Sequence, residues 1–261
     1  MHDRARLTLA ILIFLTMFNA AYTQQKSPWR ILAEDILKCI PDTEAVLIIQ
    51  YPMVHYAVKR VHELSGTHPN LKIYYGKKSI VDELPKIKGK IPIYTFGVCS
   101  IDPYIEPESL SFYGLVDVYN PSGRNTIDTS YQLLMSSDLS FLEDPLYYGD
   151  TFYCNVRYSY SALLGNIFVN VYNYMRGKSP AKADSLVNKV KPYLENMPWF
   201  VEFLLRVAVD EDSTKIHGMS VDTLLDILRD WCDRNPNTFM IKRMRRSVEY
   251  YKVKLKKEPN P

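Results

Sequence analysis

The sequence has no C-x-x-C pair. Among its four cysteines, Cys39, Cys99, Cys154 and Cys232, neighbours lie 55 to 78 residues apart, which excludes a dithiol for thiol exchange and a clustered zinc ligand set. No N-x-S/T glycosylation acceptor occurs, because Asn120 is followed by Pro121. Beyond the first residues no run approaches the roughly 20 apolar residues of a membrane span. The most apolar later stretch, Ala162 to Met175, is interrupted by Asn166, Asn170 and Asn173. A strong excess of one charge is missing too: 32 Lys and Arg against 29 Asp and Glu leave +3, which gives no global case for a nucleic-acid partner. His55 and His62 stand two helical turns apart, too far to share a metal, and read as a solvated pair. Internal repeats and low-complexity tracts are absent.

What is present begins with Arg4 and Arg6, followed by an uncharged apolar run from Leu7 to Phe18. With small residues at Ala21 and Thr23, this reads as a signal peptide over 1–23, cleaved before Gln24, and predicts an exported chain without stable membrane insertion. The remaining 238 residues carry +2. They carry it unevenly. From Lys242 to Lys257 eight basic residues face Glu249 alone, and the rest is net acidic by five. A solvated helix face with cations at its C-terminal end accounts for this run.

The chain changes character near residue 145. Before it, helical spacing over Trp29–Cys39 precedes a β-branched apolar run at Ala45–Ile49, the pattern of a strand buried on both faces. Helical period returns over His55–Leu64 through Val54, Val58, Val61 and Leu64. Strands are predicted at Leu71–Tyr75, Ile91–Phe96 and Leu115–Tyr119, a short helical turn at Ile80–Leu84, and a helix from Thr129 to Met135. This is the order of an α/β unit. After Pro145 five amphipathic helices are predicted, the first with Leu163, Ile167, Phe168, Val171, Tyr172 and Met175 on one stripe. Pro180 and Pro198 open the second and third, and Ser220 and Asn237 cap the fourth and fifth. The aromatic residues of this half read as core. Glu143, Asp144 and Asp150 read as a polar turn between the halves.

One constellation stands out in the first half. Ile49-Gln50-Tyr51-Pro52-Met53 ends the first central strand, and Lys90-Ile91-Pro92-Ile93-Tyr94-Thr95-Phe96 puts a proline at the head of another, a position suited to a cis X-Pro bond. In a thioredoxin-like domain such a proline faces the end of the central strand, where an active member carries its C-x-x-C. Here Tyr51 and Pro52 occupy that place. Without a thiolate there is no thiol–disulfide chemistry, and an aromatic, proline-lined surface for peptide contact remains.

On these residues the sequence resembles the Windbeutel-type, redox-inactive relatives of protein disulfide isomerase in the endoplasmic reticulum. Tyr51-Pro52, the proline-led strand from Pro92, the link Pro145-Leu146-Tyr147-Tyr148-Gly149, and Cys154 carry the likeness. The resemblance implies a thioredoxin-like domain over 27–143 followed by an all-α five-helix domain over 150–257. It implies a non-catalytic chaperone or escort, without cofactor or metal, that binds secretory client proteins in the endoplasmic reticulum lumen near Tyr51, Pro52, Met53 and Pro92, and a homodimer formed through the first domain. Two departures are visible. Met53 stands where the family has a second tyrosine, which keeps an apolar contact and loses a hydroxyl. The sequence ends Glu258-Pro259-Asn260-Pro261 rather than in a KDEL-like signal, so secretion is the alternative to retention. Two other functions fit the same elements. A glutathione transferase-like enzyme would use Tyr51 to activate the thiol and the Pro92 strand to hold the tripeptide, and a secreted effector would keep the scaffold and change partners. Cys39 and Cys99 are read either as a disulfide or as buried free thiols.

Overall fold

The computed structural model describes residues 28–97, 105–143, 151–238 and 241–255. Residues 1–27 (which include the segment read as a signal peptide), Cys99, Asp144, the Pro145–Gly149 link, Asp150, Lys256 and Lys257, and the C-terminal tail lie outside them, as does the side chain of Cys154. Helix α1 (Pro28–Lys38) leads to strand β1 (Ala45–Ile49), whose five apolar residues are all fully buried. Helix α2 (Pro52–Ser65) starts with Pro52 in its first turn, where the missing N–H costs nothing, and ends at Gly66, whose left-handed backbone lets its N–H reach His62 O at 3.2 Å. Strand β2 (Leu71–Tyr75), a one-turn helix α3 (Leu84–Ile87) and strand β3 (Ile93–Phe96) follow. A tight hairpin of β4 (Leu110–Tyr113) and β5 (Val116–Tyr119) then leads to helix α4 (Ile127–Ser136).

These strands form one mixed sheet in the order β2-β1-β3-β5-β4. The three strands β2, β1 and β3 run parallel, and the β4–β5 hairpin is antiparallel to β3 through β5. Alternation along β1 divides the interior. Leu47 and Ile49 face Leu32, Ile36, Val54, Val58 and Leu134 of α1, α2 and α4, while Val46 and Ile48 face a smaller cluster with Ile80, Leu84 and Ile93. Burial on both faces explains the unbroken apolar run at Ala45–Ile49. Strand β4 was not anticipated: Leu110–Tyr119 reads as apolar almost throughout, and only the left-handed turn at Gly114 cuts it into a hairpin.

The second half is helical: α5 (Thr151–Lys178), α6 (Pro180–Val190), α7 (Pro198–Asp210), α8 (Val221–Arg234) and α9 (Ile241–Leu255). Phe168, Tyr172, Phe200 and Phe203 meet at its centre, with ring centroids 5.4 to 6.2 Å apart. Ser220 caps α8 as expected, accepting from Thr223 N at 3.1 Å. A two-stranded hairpin, β6 (Lys215–Ile216) and β7 (Met219–Ser220), precedes that cap unannounced by the sequence pattern. At its turn His217 has Nε2 2.7 Å from the Tyr172 hydroxyl and Nδ1 2.5 Å from Asp184, which ties the hairpin to α5 and α6. The halves share one hydrophobic core running from Leu32 to Tyr251, and Lys178 reaches Asp128 across the junction at 2.5 Å. Among the described residues no helix is long and apolar enough to cross a membrane.

Candidate functional site

The chain leaves β1 through Gln50 and Tyr51 and enters α2 at once. Tyr51 is extended, with φ −93° and ψ 121°, and its half-buried ring packs edge-on against Phe96 with centroids 6.0 Å apart. Pro52 and Met53 are exposed beside it. The structure therefore brings Tyr51, Pro52 and Met53 together at the carboxyl end of β1.

Pro92 is not among them. Ile93 pairs with Val46 in the parallel register, and Pro92 O accepts from Val46 N at 3.0 Å, so Pro92 sits beside the amino end of β1. Six residues of strand, about 20 Å, separate its level in the sheet from that of Tyr51. The expected Tyr51–Pro92 cleft is thus corrected to two places at opposite ends of the sheet. The cause is the connection between β2 and β3: a crossover containing α3 returns the chain to the same end of the sheet, and strands joined this way run parallel. The tyrosine-and-proline arrangement that a glutathione transferase-like site would need is separated by the same distance.

Met53 belongs to a different feature. Helix α2 turns Val54 and Val58 into the core, yet Met53, Tyr56 and Leu64, at helical spacing on its other side, are 38, 70 and 68 % exposed. With Trp29 and Leu37 of α1 and Val61 they line an apolar groove of about 850 Å³ between the two helices. Its rim carries Arg30, Lys38 and Arg60; Arg30 pairs with Glu34 at 2.9 Å and Lys38 with Asp35 at 2.8 Å. The expectation that Leu64 shares one inward face with Val54, Val58 and Val61 is corrected here. The available signal was that α2 has more apolar residues than one buried face accommodates.

The other candidate residues are structural in their surroundings. His62 Nε2 lies 2.9 Å from His68 O, and the His55 ring lies 5.5 Å from that of Tyr75, with burial and then Lys59 lowering its pKa. Among the described residues no group of three or more His, Cys, Asp and Glu is placed to hold a metal ion. Cys39 and Cys232 are buried free thiols. Cys39 donates to Asp35 O at 3.3 Å and accepts from Leu115 N at 3.4 Å, and burial pushes its pKa up to about 12. Burial likewise takes Cys232 to about 11. Thiolate is the reactive form. A thiol-blocking reagent at pH 8 should therefore leave Cys39 and Cys232 unmodified in the native protein and label both after denaturation, as read by peptide mass spectrometry; native labelling of either would contradict this packing.

No family model matches the chain, and no match was found among curated proteins or among solved structures.

Proposed function

We propose that the protein is a non-catalytic escort of polypeptides in the secretory lumen, and that its client surface is the groove between α1 and α2. The observation that carries this reading is the row Met53, Tyr56 and Leu64, three large apolar side chains left in water beside one another on a helix whose other face is buried. Clustered exposed apolar side chains rimmed by polar ones fit an interaction site. An apolar polypeptide segment flanked by acidic residues fits it, because Arg30 and Lys38 are paired with Glu34 and Asp35 while Arg60, among the described residues, has no carboxylate at ion-pair distance. Delivery to the endoplasmic reticulum or beyond is supported by the basic and apolar segment over 1–23. Self-association, which the family resemblance implies, would present two grooves together and raise avidity.

The thioredoxin-like character of the first half is supported by its element order. The parallel β1–β3 pairing departs from the arrangement in which Pro92 would meet Tyr51. The proposal consequently rests on the groove and not on that cleft. Fluorescence anisotropy with a labelled peptide, four apolar residues between acidic flanks, tests it. Tyr56→Ala with Leu64→Ala is expected to weaken binding about thirtyfold, since each removes an apolar anchor worth on the order of 1 kcal/mol. Pro92→Ala, at the far end of the sheet, is expected to bind as the parent does. Equal affinity of the double variant and the parent would refute the groove.

A further inference from the structure

A second pocket, of about 310 Å³, opens between α5, α7 and α9, far from the groove in sequence. One face of α7 supplies Trp199, Glu202, Phe203 and Arg206, and one face of α9 supplies Arg243 and Tyr251. Its cations are held in place by rings: the Arg243 guanidinium lies 4.2 Å from the Trp199 ring centroid, and that of Arg206 lies 5.3 Å from the Phe203 centroid. Glu202 is already engaged, accepting from the Ser247 hydroxyl at 2.5 Å and standing 3.6 Å from Arg243. Among the described residues Arg206 has no carboxylate partner, so the lining has one positive charge more than it balances.

Tyr251 is the second, independent sign. Its side chain is 7 % exposed, yet among the described residues its hydroxyl has no hydrogen-bond partner while lining the pocket. The hydroxyl itself keeps contact with solvent, so it is open to a ligand entering the pocket. Burial pushes its pKa up to about 12, which keeps it a donor at neutral pH. A guanidinium, an oriented phenol and apolar walls around a pocket of this size are the parts of a small-ligand site.

We propose that this pocket binds a carboxylate borne on an apolar group, with Arg206 taking the charge, Tyr251 donating to one carboxylate oxygen, and Val169, Trp199 and Phe203 forming the wall for the apolar part. Two sources offer that chemistry: a free small carboxylic acid and the C-terminal residue of a polypeptide. The site is separate from the α1–α2 groove and does not depend on it.

Isothermal titration of the full chain with N-acetylphenylalanine and its amide, and with a tripeptide ending in phenylalanine as free acid and as amide, tests the proposal. Saturable binding of at least one acid is expected, with its amide about tenfold weaker, the size of one charge-assisted hydrogen bond. Binding of the small acid alone assigns the site to free metabolites, and binding of the tripeptide acid alone assigns it to chain ends. Arg206→Gln should weaken the acid about tenfold and bring acid and amide together. Tyr251→Phe, nearly the same in shape, should weaken the acid severalfold with the circular dichroism spectrum unchanged. No saturable binding by either acid, equal binding of acid and amide, or undiminished binding by Arg206→Gln would overturn it.

Discussion

Replacing Asp117 by Asn should stabilise the protein, and increasingly so as the pH rises from about 4 to about 7. Asp117 lies on β5, paired with Thr95 of β3, and alternation puts it on the sheet face of Ile48 and Tyr119, over the smaller apolar cluster. Among the described residues no cation or donor meets it. Burial pushes its carboxyl from 3.8 up to about 7. The folded state thus keeps a proton that the unfolded chain releases near the ordinary value, and the associated stability is complete below that value and lost as the pH climbs through the folded one. Full linkage over such a shift would be about 4 kcal/mol. The side chain is only partly buried, so solvent screening reduces the expected loss to about 2 kcal/mol. Urea unfolding at pH 4.5 and pH 8 for parent and Asp117→Asn measures it, and the difference between the two proteins removes the groups they share. Parallel pH dependences would show that Asp117 titrates as it does in water.

Gly97→Ala should cost about 3 kcal/mol of stability, from two separable sources. Gly97 ends β3 with φ +75°, a left-handed backbone that charges an L side chain about 1 kcal/mol. A methyl group there would also stand 2.3 Å from Tyr51 Cε2. That half-buried ring packs edge-on against Phe96, so moving it aside gives up this contact, a further cost of about 2 kcal/mol. Two comparisons separate the sources. Gly66→Ala, at φ +63° with nothing within 4 Å of the new methyl, should lose only the backbone part. Adding Tyr51→Ala to Gly97→Ala should cost less than the sum of the single changes, because the collision disappears. Strict additivity would mean that the ring does not occupy the space above Gly97.

This second prediction also marks how far the residues of the candidate site were legible. The sequence marks Tyr51 as a client contact just past the central strand, and it stands two residues beyond the end of β1. Its role in the packing is to fill the space that Gly97 leaves, and no pattern within either segment links positions 46 residues apart. The groove was half legible: Met53 and Leu64 were read separately, one as a client contact and the other as core. What joins them is the position of α1, whose Trp29 and Leu37 form the opposite wall. The pocket between α7 and α9 was invisible for the same reason. Its residues recur at helical spacing on α5, α7 and α9, which reads as ordinary amphipathic spacing until the helices are placed side by side.

By itself the sequence determined the main helices and the strands β1, β2, β3 and β5, and which strand lies at the centre, but not β4 or the β6–β7 hairpin. Those depend on local periodicity, on caps such as Ser220 and on prolines at first turns, all contained in a few neighbouring residues. Only the tertiary structure decided the direction of β3. A buried strand shows the same apolar run whichever way it points, and its polarity is set by the path of the connection that delivers it. That one choice moved Pro92 to the opposite end of the sheet from Tyr51 and left the α1–α2 groove as the exposed apolar surface on which the proposed function rests.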